Sequence, residues 1–487
     1  MELELKFSLP PADALVLEKQ LARVPFIGRR RASRTLLDNT YFDTPEHALK
    51  AAGLALRVRR LGNEDAPRWV QTLKSGGPAA SALSRRGEWE NALSSATLDA
   101  TLLRQTPWVE FDPDGSTFAA LNPVFTTTFE RLSWVVKHGD VRAEVALDRG
   151  EVLMDGHTTP LCELEIELLE GEPDDLFGLA LLIAEHLALM PSHMSKAERA
   201  YRLADGTVTA PLRAKAPALH SDMDFAAVAQ TVLRECFLQF TANLNSLVHS
   251  EAPEVLHQAR VGWRRFKSAL KLLGQLDEGR TIPAWVPLAP LLAAMTALRD
   301  LDVVTTEVMP LYAAAYQADD ALRTKHWTQL TTALHNARSR QREAICDMLT
   351  DPALGRTLLH ITRWLECGAP AVPHALATHD PQALKKWLKK RVTHVHEQLD
   401  GMPVRTKDPA LQHAIRILCK RLRYSVESLQ PLLPAKKAQR WARNAVRQQT
   451  RIGLERDRQQ ALQLAQQMKA HLGIVEFLRG AAFGATL

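Results

Sequence analysis

The chain is poor in cysteine: its 487 residues contain five, at 162, 236, 346, 367 and 419, with no CxxC pair among them. That spacing excludes a disulfide framework and a cysteine-based zinc site, and it fits a reducing compartment. Long apolar runs are also missing. The two best, Leu176–Met190 and Trp285–Leu298, are interrupted by Glu185, His186, Pro287 and Pro290, and neither reaches the roughly 20 apolar residues of a membrane helix. The opening MELELKF has Glu2 and Glu4 where a secretory signal needs a basic start and an apolar core. These absences predict a soluble, cytoplasmic protein with no membrane partner. The apolar fraction of 46% and charged fraction of 24% exclude wholesale disorder. The length predicts about three compact units, or two if one is large.

Charge is unevenly placed. Residues 1–210 hold 23 Lys and Arg against 31 Asp and Glu, whereas 211–487 hold 38 against 24. Such a split predicts two domains with different ligands. The second has the footprint of a polyanion binder. The acidic first half would have to hold any anion by local charge placement or by metal.

The first half reads as strands. Leu3, Leu5 and Phe7 alternate with Glu2, Glu4 and Lys6; Leu54, Leu56 and Val58 with Ala55, Arg57 and Arg59; Leu164, Ile166 and Leu168 with Glu163, Glu165 and Glu167. Helices are expected over Pro10–Arg23 and Asp174–Leu189. Gly206, Pro211 and Pro217 punctuate a polar linker. The domains are therefore drawn at 1–205 and 223–487, with 206–222 between them. Beyond the linker about eight long helices are expected, from Phe225–Val248 to Ala435–Leu472.

The helical half repeats itself. His257, Arg260, Arg264, Arg265 and Lys267 are echoed by His413, Arg416, Lys420, Arg421 and Arg423, with the same offsets. Arg299-Asp300 follows the first His by 42 residues, and Arg456-Asp457 the second by 43. Positions i, i+3, i+7 and i+10 fall within a stripe under about 90° wide, with Trp263, Phe266 and Leu270 opposite. Each helix buries one face and offers a cationic rail on the other, and two rails related by two-fold symmetry would line one groove. The clusters at Lys385–Arg391 and Arg440–Arg458 extend it or stand apart. His394 and His396 read as surface or packing residues.

Taken alone, each acidic or basic strand is an ordinary half-exposed strand. The set is more informative. Three carboxylates in a row repel unless a cation sits between them, and carboxylate oxygens suit a hard divalent ion. Arg57, Arg59, Lys74, Arg86, Arg131 and Lys196, with Glu88, Glu90 and Asp148, make a polar face dense in both signs. If the sheet closes, that face lines a lumen able to hold a chain of phosphates.

These segments resemble a known family. ELELK at 2–6, TYFDT at 40–44, ALRVRR at 55–60, TLK at 72–74, RGEWE at 86–90, FER at 129–131, EVALDRG at 144–150, CELEIEL at 162–168 and SKAERAYRL at 195–203 resemble the CYTH domain, in order and over nearly all of 1–205. The resemblance implies a triphosphate tunnel metalloenzyme. Its fold would be an eight-stranded antiparallel β-barrel tunnel with flanking helices, within an α+β two-domain chain. The second half resembles the CHAD domain through its two His/Arg/Lys segments, its Arg-Asp markers and KRLRY at 420–424. It departs from that pattern at Phe266, Lys267 and Thr296. The CHAD resemblance implies an all-α domain of two pseudo-symmetric bundles, and the domain order is like that of bacterial inorganic triphosphatases.

On this reading the first domain hydrolyses inorganic triphosphate with Mg²⁺ or Mn²⁺. Its metal ligands would come from Glu2, Glu4, Asp148, Glu163, Glu165 and Glu167. Phosphate would be bound by Lys6, Arg57, Arg59, Lys74, Arg86, Arg131 and Lys196, and Glu4, Lys6, Glu165, Glu167 and Lys196 would be catalytic. The second domain would grip long-chain polyphosphate through the ten repeat residues His257, Arg260, Arg264, Arg265, Lys267, His413, Arg416, Lys420, Arg421 and Arg423. Nucleic acid is disfavoured, because no aromatic platform is interleaved with the rails. Relatives of the CYTH type also act on thiamine triphosphate or cyclise ATP. Such substrates need an aromatic or apolar pocket at a tunnel mouth, and the sequence leaves open where Trp69, Trp89, Trp108 and Trp134 point.

Overall fold

The computed structural model describes the chain apart from residues 1, 11–13, 63–66, 77–80, 274–281, 369–375, 377–379, 404–405, 407 and 484–487. It divides into two compact units. The first holds Met1–Pro211, Leu244–Ser250 and Leu349–Gly368; the second holds Leu212–Asn243, Glu251–Met348 and Ala369–Leu487.

In the first unit eight strands form a ring: β1 (Glu2–Ser8), β2 (Ser33–Asp43), β3 (Leu54–Leu61), β4 (Arg68–Ser75), β5 (Leu83–Leu93), β6 (Asn122–His138), β7 (Val141–Met154) and β8 (His157–Glu170). The order is β5-β4-β3-β2-β6-β7-β8-β1, and β1 pairs back onto β5 to close an antiparallel barrel. A two-residue β9 (Met190–Pro191) adds to β1. The β7–β8 turn uses Asp155 and Gly156 at φ 50° and 75°, the pair of left-handed residues that a tight hairpin needs.

Alternation sorts the barrel's two faces. Leu5, Phe7, Leu164 and Ile166 are fully buried on the outside, against Leu17 and Leu21 of α1 (Ala14–Leu21) and Leu176, Phe177 and Ile183 of α2 (Pro173–Ile183). The apolar core is therefore a layer between sheet and helices, and the charged residues of the same strands are left to the lumen. α3 (Lys196–Ala204) follows β9, with Ser195 as its N-cap accepting from the Glu198 N–H. The helix Pro352–Cys367 also belongs to this unit: its Leu359 joins the outer core, and Arg363 donates to Asp174 at 2.8 Å. The barrel's unit thus recruits chain from beyond residue 223.

The longer helices that remain are α4 (Phe225–Leu247), α5 (Pro253–Leu273), α6 (Ala289–Val303), α7 (Met309–Gln317), α8 (Ala321–Met348), α9 (the Pro352–Cys367 helix), α10 (Pro381–Asp400), α11 (Pro409–Leu429), α12 (Ala435–Gln467) and α13 (Leu472–Phe483). The expected helix over 288–315 is divided by a π-helical turn at Val304–Val308, and the expected last helix stops at Gln467 before α13. The two repeat segments lie on α5 and α11, which pack together. No helix among the described residues is long and apolar enough to cross a membrane.

Two glycines sit where backbones nearly touch. A Cβ on Gly150 would lie 2.1 Å from the Thr128 carbonyl oxygen, and one on Gly262 would lie 2.6 Å from the Phe240 nitrogen. Gly150→Ala and Gly262→Ala should each lower stability by about 1–3 kcal/mol, read as a shift in urea midpoint. An unchanged midpoint would show that these approaches relax without cost.

Candidate functional site

A cavity of about 390 Å³ runs inside the barrel. Its wall includes Glu2, Glu4 and Lys6 of β1, Arg57 and Arg59 of β3, Lys74 of β4, Arg86 of β5, Arg131 of β6, and Glu165 and Glu167 of β8. Lys196, the first residue of α3, also lines it. Strand register explains the convergence. Glu144, Glu167 and Glu4 stand in one row across β7, β8 and β1; Lys6 pairs with Glu165 in the next; and Glu163, Asp148 and Arg131 share a third.

The third row is balanced internally. Asp148 and Glu163 are fully buried beneath the cavity wall. The Lys196 ammonium donates to Glu163, lies 2.8 Å from Asp148, and donates to Glu165 at 2.9 Å. Lys6 approaches Glu165 at 2.7 Å and Glu4 at 3.8 Å. Arg131 forms a two-pronged pair with Asp148, both contacts at 2.7 Å, and reaches Glu165 at 2.6 Å. Burial alone would raise the Glu165 carboxyl, but Lys196, Lys6 and Arg131 hold it well below the usual carboxylate range. Burial would likewise lower the Lys196 ammonium, yet Asp148, Glu163 and Glu165 raise it well above its ordinary value. The oxygens of Asp148, Glu163 and Glu165 lie within 4.8 Å of one another, a spacing fit for a cation. The Lys196 ammonium lies among them.

The rest of the lumen is not balanced. Glu2 and Glu88 share Lys74, at 2.8 and 3.1 Å. Glu167 makes no ion pair among the described residues, and burial, then Glu2 and Glu88, push its carboxyl up to about 7. A second region errs in the opposite sense. Arg59 has Glu90 only at 3.9 Å, and burial followed by Arg57 and Arg131 drags its guanidinium down to about 10. One patch thus leaves Glu167 without a paired cation among the described residues; its neighbour leaves Arg59 with only a distant carboxylate, although Arg57 there is met by Glu88 and Glu90 at 3.5 Å each. Oxygen donors of the first suit a hard divalent cation, and the guanidinium groups of the second suit phosphate oxygens.

Glu144 and Tyr41 are among the lining residues that escaped the sequence reading. Glu144 shares period-two phase with Asp148 in EVALDRG, which could have revealed it. Tyr41 of TYFDT points its hydroxyl at Arg57, 3.4 Å away, and stacks on Phe125. Of the tryptophans left open, Trp108 and Trp134 are buried in apolar cores and Trp89 packs against one of them; neither they nor Trp69 line the cavity.

In the helical unit the rails converge on a second charged site. Arg260 of α5 donates to Thr296. Burial, then Arg264, lowers its guanidinium to about 10, with Arg456 and Arg299 adding to the effect and Asp300 opposing it. Arg416 of α11 is lowered by burial and then by Arg456. Arg456 binds Asp300 at 3.3 Å, joining the two Arg-Asp markers across the repeats. His257 is pushed down to about 4 by burial and then Arg299, while His413 is exposed. Lys267 is exposed beside Arg264.

One predicted contact needs correction, and two others have charged neighbours outside the cluster. Arg265 is 1% exposed and donates to Gln239 at 2.7 Å and to the Lys215 carbonyl. Position i+8 lies about 80° around the helix from i, outside the stripe, so this guanidinium turns inward. Its counterpart Arg421 is half-buried, with Arg391 as its charged neighbour. Arg423 lies over the Tyr424 ring and reaches Glu427 at 3.4 Å. The Arg-Asp markers belong to the site instead, and their matched spacing was the signal.

Comparison with known proteins agrees with both halves. A family model described as the CYTH domain matches residues 1–201, and one described as the CHAD domain matches 231–466. An inorganic triphosphatase of Haemophilus influenzae is 30% identical over 204 residues, spanning 42% of this chain and 54% of that relative. Among solved structures, the CHAD domain of the plant Ricinus communis is 26% identical, covering 56% of this chain and 91% of that one at a TM-score of 0.48. An adenylyl cyclase-like protein of Hippeastrum, described as having a dominant triphosphatase activity, is 21% identical over 42% of this chain and 96% of its own, at 0.32. Residues 1–201 are a CYTH domain, and residues 231–466 are a CHAD domain.

Proposed function

We propose that the barrel hydrolyses inorganic triphosphate to diphosphate and phosphate, and that the helical domain binds long-chain polyphosphate, both in the cytoplasm. The observation that carries the first part is the pairing of unbalanced charge inside one cavity whose lining, among the described residues, contains a single aromatic, Tyr41. An adenine or thiazolium group would need an aromatic or apolar seat, and one face of Tyr41 is already covered by Phe125. A bare phosphate chain needs no such seat.

Glu2, Glu4, Glu144 and Glu167 would hold Mg²⁺ or Mn²⁺, with Glu88 beside them. The ion would neutralise phosphate charge and polarise the phosphoryl oxygens. Arg57, Arg59 and Arg131 grip the non-bridging oxygens, with Lys74 and Arg86 along the wall. Lys6 and Lys196 hold Glu165 ionised and fixed, so the charged frame does not reorganise when substrate enters. Water adds to the terminal phosphorus and gives up a proton to the phosphate products or solvent, the bond to the bridging oxygen breaks, and diphosphate leaves in line.

Tripolyphosphate should turn over faster than ATP, thiamine triphosphate or long polyphosphate in a side-by-side phosphate-release assay. Chelator should abolish turnover, and Arg59→Ala should lower kcat/KM by about 100-fold. Full activity in chelator would refute the metal assignment.

Glu167 gives a second test that requires no turnover. Its folded carboxyl keeps a proton up to about 7, against about 4.5 for an unperturbed glutamate. The folded state therefore binds the extra proton between those values, and the contribution of Glu167 to stability falls as pH rises through that window. Glu167→Gln should unfold at a higher temperature than the parent at pH 8 and at the same temperature near pH 4.5. Mg²⁺ should raise the parent's midpoint at pH 8 and leave the variant's nearly unmoved.

The second part of the reading is supported by the convergence of Arg260, Arg264, Arg416, Lys420 and Arg456. Polyphosphate should displace single-stranded DNA from the protein at fixed salt. Arg456→Ala should weaken polyphosphate binding and reduce the slope of log affinity against log salt by about 1. Tighter retention of DNA would overturn the preference.

A further inference from the structure

Lys420 is the lysine at the crowded centre of the helical site. It is half-buried and makes no hydrogen bond or ion pair among the described residues. Its near neighbours are guanidinium groups from three helices: Arg260 and Arg264 of α5, Arg416 of α11 and Arg456 of α12. Of the two carboxylates in the cluster, Asp300 is engaged by Arg456, and Asp457 lies next to Arg416 and Arg456. α10 also packs on α11, but the guanidinium it contributes, Arg391, faces Arg421. Arg456 is 42% exposed, so solvent and ligands can reach the group.

An ammonium enclosed by four guanidinium groups without a carboxylate of its own is electrostatically unfavourable. Two events relieve it: loss of the proton, or arrival of an anion. We propose that the helical site binds a phosphate chain and a proton together, with Lys420 as the group that takes the proton. In the free protein Lys420 is largely a neutral amine at pH 8, since burial and then Arg264, Arg416, Arg456 and Arg260 push it down to about 7. Phosphate oxygens reverse the local potential, the amine takes a proton from the buffer, and the ammonium donates to the chain. Binding then weakens as pH rises above 7, although the arginines keep their charge.

This inference rests on the polyanion-binding reading and adds its linkage to pH. The test is calorimetry of the full chain with polyphosphate of defined length at pH 8, in two buffers of different protonation enthalpy. At that pH His257, at about 4 in the free protein, stays neutral, and titration of the phosphate chain ends is common to all variants. The expected uptake is about 0.9 proton per site, with affinity falling about tenfold from pH 7 to pH 8.5. Lys420→Arg should bind at pH 8 with no uptake and a flat pH profile. Lys420→Met should also show no uptake but bind more weakly. Buffer-independent heats in the parent, or uptake that persists in Lys420→Arg, would overturn the inference and leave polyphosphate binding intact. Absence of any binding by the parent would overturn the underlying reading instead.

Discussion

Asp148, Glu163 and Glu165 face one another inside the barrel, and the ammonium of Lys196 is what allows them to do so. Three ionised carboxylates taken out of water cost several kcal/mol each unless they are paired with good geometry. Here the pairing is threefold, from Lys196, Lys6 and Arg131. Lys196 arrives from a helix rather than a strand, so the charge balance of the lumen depends on where α3 packs. Removing any member would leave a buried charge without its counterpart, which is far more costly than the pair is stabilising.

That balanced floor explains why the rest of the lumen can remain unbalanced. Glu167 beside Glu2 and Glu88, and Arg59 beside Arg57 and Arg131, are like-charge arrangements that the fold tolerates. A proton on Glu167 relieves part of this repulsion, and ligands of both signs would relieve the rest. The helical domain follows the same logic with one sign, where cations outnumber carboxylates. In both places the fold leaves strain that the proposed ligand removes.

Much of this was legible in the sequence for a simple reason: period two puts Glu2, Glu4 and Lys6 on one side of a strand whichever sheet receives it. The repeat offsets were equally robust, since 3.6 residues per turn fixes which positions share a face. The failures came from what periodicity cannot carry. The i+7 and i+8 residues diverge by one helical step, so Arg264 reaches the site while Arg265 turns inward. The recruitment of α9 to the barrel depends on tertiary packing of Leu359, which no local pattern announces. The π-helical turn at Val304–Val308 inserts one residue into a ladder whose apolar spacing looks continuous. Charge partners were the hardest to read. That Lys196 satisfies the acidic trio, and that Glu167 has nothing comparable, follows from the register of three strands and from where a helix begins.

The bridge from Arg456 to Asp300 has a consequence for the history of the helical half. Each marker copy carries both members of a pair, yet the contact is made between copies. A shorter ancestor with one copy could satisfy its aspartate only with the guanidinium of another molecule, related by a two-fold axis. Fusion of the gene with itself would turn that association into an intramolecular one, free of dilution, and would let the two halves drift apart. The lysine at 420, matching the arginine at 264, is a divergence that a joined pair is free to accumulate.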